Sequence, residues 1–184
     1  MIKKIIAFTV ALVCWLGGMA QKVIINGEET DRLLQWSDFT GRPDKTVDFF
    51  AFTYWNISYH YDAFLFQKDT VKWKVIIIVE LGKNSWKKND KISDSLLRHE
   101  QGHFNIGRLC ATELQLKVDT TVFLKPDYQG KLAAIIRESV EKYKKKDLLY
   151  DEETNHCKNR EQQLKWDIFF TTELARLEKL QHKN

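Results

Sequence analysis

The chain has 184 residues, of which 43% are hydrophobic and 29% are charged, with eight Gly and two Pro. These values are typical of a globular protein and exclude a disordered, collagen-like or low-complexity chain. The net charge of +4 falls to +2 when Lys3 and Lys4 are not counted, and the longest basic run is residues 144–146. The charge therefore gives no reason to expect a nucleic-acid partner.

Residues 1–20 have the pattern of a secretory signal peptide. Two lysines precede an apolar run of 12 residues, 5–16, and Gly18 and Ala20 are the small residues expected before a cleavage site. A membrane-spanning helix needs about 20 apolar residues, so this run is too short for an anchor. We expect cleavage after Ala20, export to the periplasm or out of the cell, and no stable membrane insertion of the mature chain. Cys14 leaves a lipoprotein as the weaker alternative.

The hydrophobic pattern of the mature chain changes its period near residue 90. Residues 49–61 are rich in aromatic and β-branched side chains, and residues 71–81 have apolar side chains at alternate positions, as half-buried strands do. Residues 23–26 are a further candidate strand. From residue 92 to residue 118 the apolar side chains recur every three or four positions, which predicts an amphipathic helix that covers the sheet.

Two more helices are predicted after this one. The first follows a loop bracketed by Pro126 and Gly130, and the second covers residues 154–180. Strands precede helices, and neither a repeat nor a linker divides the chain. We therefore expect one α+β domain over residues 21–184, in which a small mixed or antiparallel sheet carries the first helix and two C-terminal helices follow.

The first predicted helix contains His99-Glu100-Gln101-Gly102-His103, which is the HExxH pattern. Histidines four residues apart lie one helical turn apart on the same face, where both can bind one zinc ion. Glu100 flanks that point and would act as general base toward a zinc-activated water. The simpler interpretation is that both histidines are polar residues with local hydrogen bonds at the helix border.

A catalytic zinc also needs a third protein ligand and an open position. The metzincin pattern does not fit, because Leu109 stands where its third histidine would be. Of the remaining histidines, His60 lies in the strand region and His182 lies near the C-terminus, so His156 is our expected ligand. A carboxylate is the alternative third ligand, and the candidates are Glu113, Glu138 and Asp151.

The sequence resembles a family of secreted bacterial proteins that are described as zinc-dependent proteases and catalogued as domain of unknown function 922. The resemblance spans most of the mature chain. It rests on LQWSDFTG at 34–41, Ser85-Trp86, LLRHEQGHF at 96–104, YDEETNH at 150–156, and Gln162 or Gln163 followed by Trp166. The family's protease activity is itself inferred from the motif, so the resemblance supports the metal site more than the reaction.

The resemblance implies a zincin-like fold in which the HExxH residues form one half of the site and residues 150–156 the other. Asp151 or Thr154 would hold a ligand imidazole through a hydrogen bond to its second nitrogen. Tyr150 would donate a hydrogen bond to the oxyanion that develops during peptide hydrolysis. The alternatives are that Asp151 or Thr154 is a helix N-cap and that Tyr150 is a packing aromatic.

Cys110 and Cys157 are the two cysteines of the mature chain. Disulfides persist in exported proteins, and Cys110 lies on the same side of the predicted helix as the two motif histidines. Because Cys157 directly follows His156, a disulfide would clamp the site. The alternative is that both are small buried residues that never meet. The family often has glycine where this chain has Cys157.

The expected function is hydrolysis by an exported zinc enzyme, in the most concrete form cleavage of peptide bonds in a peptide or protein substrate. We expect an extended substrate along residues 71–81, which would then form an edge strand. The rival hypothesis is a non-catalytic binding protein of the cell envelope in which zinc is structural. Hydrolysis of a non-peptide or cell-wall amide would use the same chemistry.

Overall fold

The computed structural model describes residues 21–181 and 183, so the predicted signal peptide lies outside the described residues. The described part of the chain is a mixed α+β structure with three α-helices. Its strands are β1 Lys22–Ile25, β2 Glu28–Glu29, β3 Ala51–Phe52, β4 Trp55–Gln67, β5 Thr70–Leu81, β6 Trp86–Lys87 and β7 Phe123–Leu124. Its helices are α1 Asp94–Asp119, α2 Tyr128–Thr154 and α3 Arg160–Gln181.

The larger sheet has the strand order β2-β1-β5-β4, and β7 also pairs with β5. β1 runs parallel to β5, and the other pairs are antiparallel. β4 and β5 form a long hairpin that a bulge interrupts at Ala63, whose left-handed φ is 45°. β3 and β6 form a separate two-stranded sheet.

The structure corrects the prediction that residues 71–81 form an edge strand. β5 pairs with β4 along its whole length on one side, and on the other side its two ends pair with β7 at residues 70–71 and with β1 at residues 78–80, so β5 is not an edge strand of the sheet. The physical reason is visible in residues 75–79, which are all apolar and of which only Ile78 is not buried. Such a near-continuous apolar run is typical of strands covered on both faces.

α1 lies against β5 with its apolar face, as the periodicity predicts. The helix begins after Ser93, whose hydroxyl accepts a hydrogen bond from the Leu96 amide. α1 lies close to β4 at Gly107, where a Cβ would come within 2.8 Å of Trp55 Cγ. A side chain at position 107 would therefore push the helix away from β4.

α2 packs antiparallel to α1, and polar pairs mark the register of the two helices. Lys117 of α1 lies 3.5 Å from Glu138, and Glu113 contacts both Lys142 and Tyr143. Residues nearer the N-terminus of α1 therefore contact residues nearer the C-terminus of α2. The same register brings the last two turns of α2 opposite the HExxH motif.

The boundaries of α2 and α3 differ from the predicted ones. Gly130 is part of α2, not of the preceding loop, because it is exposed and costs an exposed helix only about 1 kcal/mol. α2 ends at Thr154, where Asn155 adopts a left-handed C-cap with φ of 46°. α3 begins only at Arg160, so neither Asp151 nor Thr154 is a helix N-cap. No helix among the described residues is long and apolar enough to cross a membrane.

Candidate metal centre

Three atoms that can bind a metal ion lie close together where α1 faces α2. His99 Nε2 lies 3.2 Å from His103 Nε2, and Asp151 Oδ1 lies 3.1 Å from the former and 3.2 Å from the latter. The side chains of His99 and His103 are 3% and 10% exposed, whereas that of Asp151 is 32% exposed. The triangle is therefore buried at its two imidazoles and open to solvent at Asp151.

The second nitrogen of each imidazole contacts an acceptor. His103 Nδ1 lies 2.8 Å from Asp147 Oδ1, and His99 Nδ1 lies 3.2 Å from Gln163 Oε1. The Gln163 amide is oriented by its own donation to Asp167 Oδ1 at 3.0 Å. With a proton on each Nδ1, both Nε2 lone pairs face the oxygen of Asp151.

Three acceptors at this distance repel one another unless a cation lies between them. Zinc meets this requirement, since tetrahedral bonds of about 2.0 Å separate ligand atoms by about 3.3 Å. The observed separations are 3.1 and 3.2 Å. Two imidazoles and one carboxylate are also a ligand set that zinc enzymes use. The residues present therefore fit a zinc ion.

Without a metal ion, a proton takes the place of the cation. Burial lowers the pKa of His103, but its hydrogen bonds to Asp147 and Asp151 outweigh burial and raise that pKa to about 10. Burial acts to raise the pKa of Asp151, yet hydrogen bonds from His103 and His99 hold it well below its ordinary range. A metal ion must therefore displace a proton from His103.

Glu100 is buried beside this triangle. Its Oε2 accepts a hydrogen bond of 2.7 Å from the hydroxyl of Thr53. Thr53 and Tyr54 connect β3 to β4. Burial raises the pKa of Glu100, and the charges of His103 and His99 and the Thr53 hydroxyl oppose that rise. A carboxylate whose pKa is raised toward neutrality is suited to accept a proton and return it.

Tyr150 is fully buried under α1. Its hydroxyl donates to the carbonyl oxygen of His99 at 3.0 Å and accepts from Gln163 Nε2 at 2.8 Å. Its ring stacks on that of His99 with centroids 4.8 Å apart, and a Cβ on Gly102 would collide with its hydroxyl. The hydroxyl is thus engaged with α1 and Gln163, and its predicted hydrogen bond to an oxyanion stays a prediction.

His156 lies at the open side of the triangle but is not one of its three members. Its Nδ1 is 3.1 Å from Asp151 Oδ1, and its side chain is 56% exposed. Asn155, His156 and Cys157 all have left-handed backbones, with φ of 46°, 48° and 70°. Asp151 therefore occupies the place in the triangle that we expected for His156, whose ligand role stays a prediction.

The remaining predicted residues lie around this centre. Thr154 Oγ1 donates to the carbonyl oxygen of Tyr150 at 2.5 Å and lies 3.5 Å from His99 Nδ1. Cys110 is buried in α1, Cys157 is half-buried, and the structure contains both as free thiols. Burial raises the pKa of both, that of Cys110 to about 12, so neither thiol is activated as a thiolate.

Sequence analysis missed Asp147 and Thr53 and gave Gln163 no role. A signal for Asp147 exists in its spacing: Asp147 and Asp151 are four residues apart, as are the two motif histidines. Antiparallel helices with such spacings can form two His–Asp pairs, although only the register tells which acidic residues qualify. Thr53 has no local signal, because it lies 47 residues from Glu100 in the chain.

Among the described residues, His99, His103 and Asp151 form the group whose ligand atoms lie close enough to hold a metal ion. The family described as "Bacterial protein of unknown function (DUF922)" matches residues 23–157, which include this group and Asp147. No curated protein matches the chain. No solved structure matches it either. Since the match covers well over half of the sequence, the chain belongs to this bacterial family of unknown function.

Proposed function

We propose that this protein is a zinc-dependent hydrolase, and in the most concrete form a peptidase, with His99, His103 and Asp151 as the zinc ligands. The observation that carries the proposal is the triangle of three acceptor atoms 3.1 to 3.2 Å apart. Both imidazoles have an acceptor at Nδ1, so neither needs a proton at Nε2. This is the protonation state that metal binding requires.

Zinc, when bound, would supply a Lewis acid that polarises a substrate carbonyl and lowers the pKa of water. Glu100 is the residue that would accept the proton of the attacking water and later donate it to the leaving amine. Its burial favours the protonated form between these two transfers, and the Thr53 hydroxyl fixes the direction of its carboxylate. Burial and the hydrogen bond from Thr53 therefore both suit Glu100 to act first as a general base and then as a general acid.

Asp147 and Gln163 would orient the two imidazoles from behind. Asp147 is held in turn by Trp55, whose Nε1 lies 3.3 Å from Asp147 Oδ2, and Gln163 is held by Tyr150 and Asp167. Such outer contacts fix the ring orientation and the tautomer of a ligand histidine. The centre therefore draws on α1, α2, α3 and the start of β4.

The number of ligands favours a catalytic site over a structural one. A structural zinc has four protein ligands, whereas a catalytic zinc has three and an open position. Among the described residues, the group of candidate ligands has three members, and Asp151 is its exposed corner. A non-catalytic protein with a structural zinc is the second candidate, and the nearby His156 is the residue that would complete its site.

The experiment measures zinc content and peptide hydrolysis of residues 21–184. We expect about one zinc per chain, which Glu100→Gln retains while activity falls by about 10²- to 10⁴-fold, the usual contribution of a general base. Glu113→Gln is the matched control, because Glu113 lies on the same helix and pairs with Lys142 away from the triangle. A chain that binds no zinc, or a Glu100→Gln variant with full activity, would contradict the proposal.

X-ray absorption of the zinc-loaded protein separates the two candidates. A spectrum with light-atom ligands from three side chains and one solvent oxygen supports the hydrolase. A fourth protein ligand that disappears in His156→Ala, in a protein without hydrolytic activity, supports the structural site.

Export also belongs to this proposal. The sequence pattern of residues 1–20 favours cleavage after Ala20 and a substrate outside the cytoplasm. N-terminal sequencing of the protein from an expressing bacterial culture tests it, with Gln21 as the expected first residue.

A further inference from the structure

Three aromatic side chains form a shelf on the surface of the small sheet, and we call Phe49, Phe52 and Trp86 the aromatic shelf. The rings of Phe49 and Trp86 stack with centroids 5.5 Å apart, and Phe52 lies 6.3 Å from Phe49 and 6.4 Å from Trp86. Trp86 is buried, whereas Phe49 and Phe52 are 37% and 41% exposed. The shelf therefore exposes the rings of Phe49 and Phe52 to solvent, and both pack on the buried indole of Trp86.

The aromatic shelf adjoins the candidate metal centre through Phe49. The ring of Phe49 is stacked on that of His156, with centroids 6.4 Å apart and an angle of 15°, and His156 contacts Asp151. Phe52 is followed by Thr53, whose hydroxyl binds Glu100. The Phe49 end of the shelf therefore lies beside the exposed zinc-ligand corner, and Phe52 lies one residue from the threonine that binds the general base.

The small sheet leaves two of the three rings partly exposed. β3 and β6 have two residues each, and their pairing places Phe52 directly opposite Trp86. Phe49 is exposed next to His156, which in turn contacts the partly exposed Asp151. Exposed apolar groups that cluster beside an open polar site are typical of ligand-binding surfaces.

We propose that the aromatic shelf binds a large apolar side chain of the substrate, next to the bond that is hydrolysed. The substrate class is then a peptide with an aromatic or long aliphatic residue at that position. The proposal rests on the proposed zinc-hydrolase function. It assigns specificity to the shelf, while the ligands and Glu100 carry the chemistry.

The charge of the surroundings disfavours a basic side chain at this place. Lys88 lies over the Trp86 ring at 5.8 Å, and Lys91 lies over the Phe50 ring at 5.9 Å. These cations disfavour a Lys or Arg side chain of the substrate at the same surface.

The test uses two hydroxamate dipeptide analogues that differ in one side chain, benzyl in one and methyl in the other. Both bind the zinc-loaded chain through the hydroxamate group, so their affinity ratio reports the side-chain subsite. We expect the benzyl analogue to bind at least about tenfold more tightly, as apolar subsites commonly discriminate by that factor or more. In Phe52→Ser and Phe49→Ser the ratio should fall close to one.

Phe66→Ser is the matched control, because Phe66 is 44% exposed and lies at the far end of the β4–β5 hairpin. Its ratio should equal that of the wild-type chain. Zinc content is measured for each protein. Equal affinities of the two analogues for a chain with one bound zinc would overturn the shelf alone. A chain without zinc, or one that binds neither analogue, would overturn the hydrolase proposal and the shelf with it.

Discussion

α1 and α2 contribute to the candidate metal centre in different ways. α1 supplies His99, Glu100 and His103 within five residues, in a pattern that is readable without any knowledge of the fold. α2 supplies Asp147 and Asp151 from a helix with ten other acidic or basic residues, and their four-residue spacing becomes informative only when the register of the helices is known. The carboxylate half of the centre is defined by helix packing, and the imidazole half by local spacing.

The largest expected effect is that of removing the ligand supplied by α2. Asp151→Asn keeps the shape of the side chain but loses its charge, and we expect zinc affinity to fall by more than about 100-fold, beyond the loss typical of an outer-shell partner. His156→Ala is the paired variant and should lose less than about tenfold. Competition with a chromogenic chelator measures both. If His156→Ala loses zinc and Asp151→Asn keeps it, the sequence-based choice of ligand is the correct one.

A smaller loss is expected for the outer residue of α2. Asp147→Asn removes the charged acceptor at His103 Nδ1, and affinity for zinc should fall by about 10- to 100-fold. Glu153→Gln is the matched control, because Glu153 is also on α2 and also accepts from an indole, Trp166 Nε1 at 2.7 Å. Equal affinities of these two variants in the same competition assay would mean that Asp147 does not support the metal.

The contact between the two helices can be tested without metal. Gly102→Ala places a methyl group against the Tyr150 hydroxyl, and we expect the free energy of unfolding to fall by about 1–3 kcal/mol in urea titration. Gly130→Ala meets no atom within 4 Å and should raise that free energy by up to about 1 kcal/mol. An unchanged free energy of unfolding in Gly102→Ala would show that α1 and α2 are packed less closely than the structure has them.

A change of one pH unit should have the smallest effect on zinc binding. His103 has a pKa of about 10 in the metal-free protein, so at lower pH zinc must displace its proton. The apparent affinity should therefore increase by about tenfold for each unit that pH rises between 6 and 8. Titration in buffers that do not bind zinc measures this slope. An affinity that does not change with pH would exclude His103 as a ligand.

β1, β4, β5 and α1 could be predicted in outline, because each depends on hydrophobic period within a short segment. The short strands β2, β6 and β7 could not, and β7 lies between α1 and α2, which departs from the predicted order of strands before helices. The inner position of β5 could be inferred only from the continuous apolar run at residues 75–79. The end of α2 could not, since Asn155, His156 and Cys157 are left-handed without glycine. The pairing of the two histidines with Asp147 and Asp151 depends on the register of α1 and α2. Pairs far from the site, such as Lys117 with Glu138, help to set that register.

The close approach of Tyr150 to Gly102 has a consequence for the motif itself. The two central positions of HExxH are usually regarded as free to vary, but here position 102 has no room for a side chain while a tyrosine occupies position 150. The two positions should therefore evolve as a pair. A homologue with alanine or a larger residue at the first should have a smaller side chain at the second, so their covariation across species would record the helix contact.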